Sequence, residues 1–390
     1  MIMGRVFLIV LDSLGIGEAP DANAFGDVGA NTLKSLYKTG TLNIPNLERM
    51  GIGSIDGIDY LKKDAKHSAS VARLFEISSG KDTTVGHWEI AGIISKAPFP
   101  TYPNGFPKEI IEEFEGQCKR DTLCNKPYSG TEVIRDYGEE HIKTGKLIVY
   151  TSQDSVFQIA AHEDTVPPEE LYEYCKIARK ILTGEHNVGR VIARPFVSEN
   201  GEFKRTANRR DFSVSPHSRT LLDAICDKGL SVISVGKISD IFNGAGITKA
   251  IASHSNEEGM KITEELLAKD FGGLVFTNLV EFDSHYGHRQ DPIGYANALN
   301  AFDAWLPSFL AGLRDGDTLI ITADHGCDPS DNLTDHTREF VPLLIYSKNM
   351  KAKNFGTMKS FSVVAKLISD ILEVDFEPEI YDRAIEGFIK

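Results

Sequence analysis

Asp and His side chains gather in three short stretches late in the sequence, and one further Asp follows an apolar run near its start. These residues are Asp12, Asp283, His288, Asp324, His325, Asp335 and His336. Carboxylate and imidazole groups without thiolates suit Mn²⁺, Zn²⁺ or Mg²⁺ in sites of hydrolysis or group transfer. The set is large enough for two ions that hold the attacking and leaving oxygens of a phosphoryl transfer. Each residue alone is more often a cap or loop residue, so the prediction depends on their meeting in the fold.

The stretch SSGKDTTVGHWE places two hydroxyl groups side by side, at Thr83 and Thr84. Gly80 and Gly86 flank them closely, which predicts a loop outside any helix or strand. An isolated pair of threonines is most often part of an ordinary turn, whereas a threonine beside bound metal ions can act as a nucleophile. The choice between these interpretations depends on what the fold brings to the same place.

Six apolar runs predict buried strands, because they do not alternate with polar residues. They span residues 6–11, 146–152, 230–236, 274–282, 318–322 and 339–347. Helical patterns lie between them, and this alternation predicts an α/β fold with a mostly parallel sheet flanked by helices. Ligands of open α/β sheets bind at the carboxyl ends of the strands, where Asp12, Asp283 and Asp324 are expected to meet.

Three segments carry helical patterns. Residues 291–313 have an apolar stripe at four-three spacing, which predicts a buried helix face, and Pro307 within it predicts a kink or a break. The stripe consists of Tyr295, Leu299, Phe302, Leu306, Phe309 and Leu313. Residues 215–229 predict a helix that is capped by Ser215, and residues 360–373 predict a third helix.

Two stretches are unsuited to regular structure and mark the borders of an insertion. Residues 96–107 contain four prolines, and residues 208–216 are polar and end in proline. Such a density of prolines is not tolerated inside helices or central strands. We therefore predict a smaller inserted α/β cap domain at residues 98–213, with the main catalytic domain formed by residues 1–97 and 214–390.

Composition restricts the partners and the location. The formal net charge is −14, which argues against nucleic acid as a partner. The first apolar run is too short to cross a membrane, so no membrane association is expected. The five cysteines form no CxxC pair, which is typical of reduced thiols and favours the cytoplasm. The oligomeric state stays open.

Four motifs extend over nearly the whole chain: FLIVLDSLGIGEAPDA, GKDTTVGHWE, FDSHYGHRQDP and ADHGCDP with TDHTREFVPLL. Together they resemble the prokaryotic phosphopentomutase family of the alkaline phosphatase superfamily. The resemblance implies an alkaline-phosphatase-like core and two Mn²⁺ ions, with Zn²⁺ or Mg²⁺ as alternatives. The implied ligands are Asp12, Asp324 and His325 for one ion and Asp283, His288 and His336 for the other.

Five residues near these motifs have no implied ligand role. His285 is expected to be a loop residue, and Trp88 is expected to anchor the core. His87 either contacts a phosphate or caps its loop, and the loop role is favoured. The sequence departs from the family pattern at Cys327, where Asn is expected, and at Leu333, where Gly is expected.

The resemblance also implies a reaction, in which phosphorylated Thr83 mediates exchange between the 1-phosphate and the 5-phosphate of ribose or 2-deoxyribose. Glucose 1,6-bisphosphate or a similar sugar bisphosphate would first charge the threonine. The implied sugar-phosphate pocket consists of Ser152, Asp154, Val156, Arg190, Ile192, Arg205 and Lys237. The alternatives are a metal-dependent phosphomonoesterase, a cofactor-independent phosphoglycerate mutase and a non-catalytic metal-binding protein.

Overall fold

The computed structural model describes residues 4–152, 154–331, 334–348 and 350–388. The chain divides into two compact units, one of Met1–Ala97 with Pro216–Lys390 and one of Pro98–Ser215. We call them the larger unit and the smaller unit. Their roles as catalytic domain and cap stay predictions. No helix in the part of the chain that the structure describes combines the length and the apolar surface that a membrane crossing requires.

Strands and helices alternate along much of the chain, and the predicted α/β class is confirmed. The strands are β1 (Arg5–Leu11), β2 (Ser70–Phe75), β3 (Thr122–Pro127), β4 (Leu147–Thr151), β5 (Val156–His162), β6 (Arg190–Glu199), β7 (Glu202–Arg205), β8 (Arg210–Ser213), β9 (Ser231–Val235), β10 (Lys249–Ile251), β11 (Gly273–Leu279), β12 (Thr318–Thr322), β13 (Val341–Tyr346) and β14 (Asn354–Lys359). The α-helices are α1 (Ala22–Phe25), α2 (Thr32–Lys38), α3 (Pro45–Met50), α4 (Thr83–Ile90), α5 (Lys108–Cys118), α6 (Glu132–Thr144), α7 (Pro168–Ile181), α8 (Leu221–Asp227), α9 (Ile238–Ile241), α10 (Asn256–Glu265), α11 (Pro292–Gly312) and α12 (Val363–Ile371).

The sheet of the larger unit has the strand order β10-β9-β11-β1-β12-β13-β2-β14. The strands from β10 to β12 are parallel to one another, whereas β13 is antiparallel to both of its neighbours. The run at 339–347 is thus a buried strand, as predicted, but it is antiparallel to its neighbours within the mostly parallel sheet. A continuous apolar run reports that both faces of a strand are buried, as they are in β13, and not the direction of the strand.

Strand register places the carboxyl ends of the central strands together. Leu11, the last residue of β1, pairs with Leu279, the last residue of β11. On the other side of β1, Val10 pairs with Thr322, the last residue of β12. The segments that follow these strands therefore leave the sheet at one edge, which is where ligands of such sheets bind.

Helix α11 buries the predicted apolar stripe and continues through Pro307. Proline has no N–H, so the carbonyl of Asp303 loses its partner within the helix. The side-chain amide of Asn46 donates a hydrogen bond to this carbonyl at 2.9 Å, and the carboxylate of Asp303 accepts one from the backbone N–H of Leu47 at 2.7 Å. The helix does not break at Pro307, because a side chain from α3 supplies the missing bond, and the kink stays a prediction.

Two other helices test the predicted start and stop signals. Helix α8 begins after Thr220, whose hydroxyl and the carboxylate of Asp223 form a reciprocal cap, and not after Ser215. The predicted end is close to the observed one, since Lys228 follows the helix and Gly229 takes a positive φ of 77°. The predicted third helix is present as α12.

The smaller unit is itself a three-layer α/β structure. Its sheet has the order β3-β4-β5-β6-β7, and β8 also pairs with β6. Successive residues of β4 face opposite sides: Leu147 packs in a cluster with α5 and α7, whereas Ile148 packs in a second cluster with α6. Each face of the sheet is therefore covered by helices, and the unit has its own hydrophobic core.

Candidate metal centre and nucleophile

Three carboxylates follow the ends of three adjacent strands. Asp12 comes directly after β1, Asp324 comes two residues after β12, and Asp283 lies in a π-helical turn, Phe282–Gly287, beyond β11. All three side chains are buried. The strand register therefore brings these three residues to one edge of the sheet, as predicted.

Three histidines present the same ring nitrogen to these carboxylates, because the other nitrogen of each ring contacts a backbone carbonyl. The Nδ1 contacts are His325 with Gly326 at 3.0 Å, His288 with Thr334 at 2.6 Å and His336 with Lys81 at 3.0 Å. A carbonyl only accepts, so each Nδ1 carries the proton and donates it. In the neutral ring each Nε2 then has a free lone pair, which is the usual state of a metal-binding histidine.

One group of ligand atoms comes from Asp12, Asp324 and His325, which can place one donor atom each within 4.8 Å of the others. The Nε2 atom of His325 lies 3.5 Å from Oδ1 of Asp12 and 3.2 Å from Oδ2 of Asp324. The pKa of Asp12 is raised to about 7, chiefly by burial and also by the neighbouring Asp324 carboxylate. Two carboxylates held this closely out of water favour a cation between them.

A second group consists of Asp283, His288 and His336. The Nε2 atom of His288 lies 3.3 Å from Oδ2 of Asp283, and that of His336 lies 3.4 Å from Oδ1. The two Nε2 atoms are 3.1 Å apart. Both Nε2 atoms carry lone pairs when their Nδ1 atoms are protonated, so the two lone pairs repel each other. A cation between these nitrogens and the carboxylate would relieve that repulsion.

Unpaired oxygen atoms provide the test of whether these residues fit metal ions. Oδ1 of Asp12, Oδ1 of Asp283 and Oδ2 of Asp324 are buried without a hydrogen-bond partner among the described residues. Buried carboxylate oxygens are costly unless they are paired or bind a cation. One such oxygen comes from each of the three strand ends, so the residues fit divalent metal ions.

The two groups adjoin each other. Asp283 can also combine with His325 and His336, or with His288 and Cys327, as a set of three neighbouring donors. Burial raises the pKa of the Cys327 thiol, and the nearby Asp283 carboxylate raises it as well, so the sulfur stays protonated. The departure from the family pattern at this position therefore puts a neutral thiol beside the second group. Leu333, the other departure, lies outside the described residues.

Thr83 is the first residue of α4, and its hydroxyl oxygen lies 3.1 Å from Nε2 of His325. The prediction that both threonines lie outside any helix is wrong. The carboxylate of Asp82 accepts hydrogen bonds from the backbone N–H groups of Thr84 and Val85, at 3.0 and 3.1 Å, and this cap starts the helix. The helix directs Thr83 to the first group of ligand atoms.

Gly86 is needed because α4 passes against the end of β12. A Cβ atom at this position would lie 2.1 Å from the carbonyl oxygen of Asp324. No side chain fits at that distance from backbone. The glycine that suggested a loop is therefore the residue that allows a helix to approach the metal group closely.

Two residues that the sequence analysis did not single out, Arg338 and Glu339, support the loops of this site. The guanidinium of buried Arg338 donates to the carboxylate of Glu76 and to the carbonyl of Gly80, both at 2.6 Å. It thereby holds the segment that leads to Thr83. The only signal for these residues was their place in the motif TDHTREF, two and three positions after His336.

Glu339 is a buried acceptor that joins three loops. Its carboxylate accepts from the N–H of Gly17 at 3.0 Å, from the hydroxyl of Thr32 at 2.7 Å and from the hydroxyl of Thr337 at 2.6 Å. A Cβ atom at Gly326 would lie 2.4 Å from the same carboxylate. The loops after β1 and β12, which carry Asp12 and Asp324, therefore meet on one side chain.

Two candidates from the sequence take other roles. Asp335 lies 3.3 Å from Nζ of Lys81, which also lies 3.1 Å from Asp27, so this carboxylate belongs to an ion-pair network. His285 is exposed and lies 3.8 Å from Glu281. Trp88 is buried and its indole N–H donates to a backbone carbonyl, as expected of a core anchor.

The predicted sugar-phosphate residues are divided between the two units. The smaller unit contains Ser152, Asp154, Val156, Arg190, Ile192 and Arg205, and the larger unit contains Lys237. The Arg190 guanidinium lies 3.7 Å from Asp154, whereas the side chains of Val156 and Ile192 are buried in the sheet. The positive charge of Lys237 is close enough to lower the pKa of Asp12. That these residues line one pocket stays a prediction.

A family model described as the Metalloenzyme superfamily matches residues 4–376. The chain thus belongs to this superfamily of enzymes, and it uses divalent metal ions. The match confirms the resemblance from which the alkaline-phosphatase-like fold class was predicted. A solved structure, the PH0037 protein from Pyrococcus horikoshii, is 17% identical with a TM-score of 0.49, covering 96% of this chain and 98% of that chain.

Curated relatives narrow the class further. The phosphopentomutase of Acetivibrio thermocellus is 54% identical over 374 residues, which cover 95% of this chain and 96% of the relative. The phosphopentomutase of Carboxydothermus hydrogenoformans is 55% identical over 375 residues, with 96% and 97% covered. Within the metalloenzyme superfamily, the chain belongs to the phosphopentomutase family.

Proposed function

We propose that this phosphopentomutase family member interconverts α-D-ribose 1-phosphate, or its 2-deoxy form, and the corresponding 5-phosphate through a covalent phosphothreonine at Thr83. The observation that supports the choice of residue is the 3.1 Å distance between the Thr83 hydroxyl and Nε2 of His325, a residue of the first ligand group. The activity class, an isomerase acting by phosphoryl transfer, follows from the family.

The proposed metal ligands are the two groups described above. Asp12, Asp324 and His325 would bind one ion, and Asp283, His288 and His336 the other. Mn²⁺ is the proposed metal, and Zn²⁺ or Mg²⁺ are alternatives that suit the same oxygen and nitrogen donors. When bound, such ions lower the pKa of a hydroxyl and neutralise the charge of a phosphoryl group in transfer.

The chain's own contribution is a nucleophile held in place and a phosphoryl carrier. In the first step, the O5 hydroxyl of ribose 1-phosphate attacks phosphorus, the bond between phosphorus and Thr83 Oγ1 breaks, and a ribose bisphosphate forms. In the second step, Thr83 Oγ1 attacks the phosphate on O1, and the bond between O1 and phosphorus breaks. The proton released by O5 is balanced by the one that O1 takes up, so phospho-Thr83 is regenerated and the 5-phosphate leaves.

Substrate binding and activation are proposed in the same terms. Arg190, Arg205 and Lys237 carry positive charges that suit the phosphate that does not react. The other proposed pocket residues are Ser152, Asp154, Val156 and Ile192. Glucose 1,6-bisphosphate or a similar sugar bisphosphate would charge Thr83 before the first turnover. A cytoplasmic location is proposed because the five cysteines are free thiols.

The test follows ribose 5-phosphate and free phosphate together, in a reaction of ribose 1-phosphate with Mn²⁺ and a trace of glucose 1,6-bisphosphate. We expect isomer without free phosphate for the wild type and for Thr84→Ala, and no isomer for Thr83→Ala. Release of free phosphate with little isomer would instead identify a phosphomonoesterase. Turnover of 3-phosphoglycerate in place of the pentose phosphate would identify a phosphoglycerate mutase.

A further inference from the structure

Two buried residues, Asn278 and His87, link the carboxylates of the first ligand group. The side-chain Nδ2 of Asn278 donates a hydrogen bond to Oδ2 of Asp12 at 2.8 Å and lies 3.3 Å from Nε2 of His87. On the far side of the ring, Nδ1 of His87 lies 3.1 Å from Oδ2 of Asp324. A continuous chain of polar contacts therefore runs from Asp12 to Asp324, both of which are proposed metal ligands.

The partners determine which ring nitrogen of His87 carries the proton. Nε2 faces the amide nitrogen of Asn278, which only donates, so Nε2 must accept. Nδ1 then carries the proton and faces two acceptors, Oδ2 of Asp324 and the backbone carbonyl of Thr83 at 2.8 Å. One imidazole thus joins the backbone of the nucleophile to a carboxylate of the metal group.

The linking residues are rigidly placed. Asn278 lies in β11 directly opposite Val10 of β1, and its side chain is buried. His87 lies in α4, is fully buried and stacks on Phe276, with ring centroids 5.8 Å apart and ring planes 28° apart. Neither side chain has room to change rotamer without disturbing the sheet or the helix.

This network determines which oxygen of each carboxylate already has a polar partner. Asn278 donates a hydrogen bond to Oδ2 of Asp12, and Oδ1 of the same carboxylate has no hydrogen-bond partner in the described chain. The backbone N–H of Ser13 donates a hydrogen bond to Oδ1 of Asp324 at 3.1 Å. Asp12 is thus held through Oδ2, and Asp324 is held through Oδ1 while its Oδ2 lies 3.1 Å from Nδ1 of His87, so both orientations are set before any ion binds.

We propose that Asn278 and His87 are positioning residues, which set the orientation of the Asp12 and Asp324 carboxylates for a divalent cation and tie the Thr83 backbone to the same group. Partners behind metal ligands typically change metal affinity by about 10- to 100-fold when removed. This inference rests on the proposed ligand set, and its test separates the failure of one from the failure of the other.

The test measures Mn²⁺ binding by calorimetry on the full chain. Asn278→Leu keeps the branched side-chain shape and removes the bond to Asp12, and we expect one of the two Mn²⁺ sites to weaken by about 10- to 100-fold while the other is unchanged. His87→Asn retains a donor near the position of Nδ1 and loses the acceptor at Nε2, so its effect is expected to be smaller. His87→Leu removes both and is expected to match Asn278→Leu.

A matched control lies next to Asn278 on the same strand. The hydroxyl of buried Thr277 is 2.8 Å from that of Thr263, and neither residue contacts the ligand groups through this bond. Thr277→Val therefore removes a buried polar contact of β11 and is expected to lower the melting temperature while both Mn²⁺ affinities stay at the wild-type values. It shows what a purely structural change on this strand does.

Two further readouts complete the test. We expect kcat to fall and KM to stay nearly constant in Asn278→Leu and His87→Leu, because neither residue is among those proposed to bind the substrate. Wild-type Mn²⁺ affinities in Asn278→Leu and in His87→Leu would overturn the inference and leave the proposed function intact. A wild-type chain that binds none of Mn²⁺, Zn²⁺ and Mg²⁺ would overturn the proposed function itself.

Discussion

The hydroxyl of Thr83 and Nε2 of His325 are 3.1 Å apart although 242 positions of sequence separate them. The contact exists because an Asp82 cap starts α4 at Thr83 and because β12 ends just before His325. The nucleophile therefore lies on a helix that is packed against the sheet edge, and its position is determined by backbone that does not move easily.

The first prediction concerns the site of phosphorylation. Incubation of the metal-loaded protein with glucose 1,6-bisphosphate should add one phosphoryl group to the wild type and to Thr84→Ala, but none to Thr83→Ala. The reason is that Thr83 is the threonine whose hydroxyl faces His325. Intact-mass spectrometry with fragmentation of the peptide around Thr83 measures this. A phosphoryl group found on Thr84 would contradict the assignment.

The second prediction concerns metal removal. The buried carboxylates of Asp12, Asp283 and Asp324 oppose one another, so chelation should lower the melting temperature, and added Mn²⁺ should restore it. A ligand at about 1,000 times its dissociation constant stabilises a protein by roughly 4 kcal/mol, which amounts to several degrees. Thermal scans against Mn²⁺ concentration measure the effect.

Two variants make the metal experiment specific. Asp283→Asn should reduce the thermal shift, because it removes a charge from the second ligand group. His285→Ala should keep the full shift, because this exposed side chain lies near Glu281 and outside the ligand groups. A shift that is lost in His285→Ala and retained in Asp283→Asn would mean that the ligand set is wrong.

The third prediction concerns pH and Glu339. Burial raises the pKa of this carboxyl to about 7 from an ordinary value of 4.5, against the opposing effect of hydrogen bonds from Thr337 and Thr32. Between these two pH values the folded chain holds a proton that the unfolded chain has released. The free energy of unfolding should therefore fall as pH rises through this window, by at most roughly 3 kcal/mol from this group.

Glu339→Gln isolates this contribution, because all other titrating groups are common to both proteins. Denaturant unfolding at pH 5 and at pH 7.5, without metal, should show a larger loss of stability for the wild type than for the variant. The same loss in both proteins would show that Glu339 does not hold its proton in the folded chain across this range.

The fourth prediction compares two helical glycines. Gly86→Ala would put a methyl group 2.1 Å from the carbonyl oxygen of Asp324, so the backbone of a metal ligand must shift. We expect a loss of roughly 1 to 3 kcal/mol in stability and weaker Mn²⁺ binding. Gly116→Ala in α5 meets no described atom within 4 Å and should stabilise the chain by about 0.5 to 1 kcal/mol. Equal effects of the two substitutions on Mn²⁺ affinity would contradict the packing argument.

The sequence predicts the site only as far as it predicts where the strands end. Asp12 and Asp324 follow uninterrupted apolar runs, and parallel strands bring such ends together whatever their separation in the chain. The direction of β13 could not be predicted, because a run of buried residues has the same composition in either direction. Asn278 was visible as an amide inside an otherwise apolar run, yet only the structure shows that it donates to Asp12.

Helical boundaries show the limits of local signals. The two glycines beside Thr83 favour a loop when the sequence is considered alone, since glycine is a poor helix former. The packing of α4 against Asp324 reverses that preference, because close approach of backbone to backbone requires a residue without a side chain. Pro307 is the same kind of case, since the partner that replaces its missing N–H, Asn46, lies far away in sequence.

The strand order has a consequence for synthesis on the ribosome. Strand β1 lies in the middle of its sheet, between β11 and β12, which are made more than 260 residues later. At about 5 to 20 residues per second, its apolar side chains wait of the order of ten seconds or more for their neighbours. Strands β3 to β8 pair only with one another and can close their sheet meanwhile. The nascent chain therefore exposes β1 to chaperones until almost the whole protein has been translated.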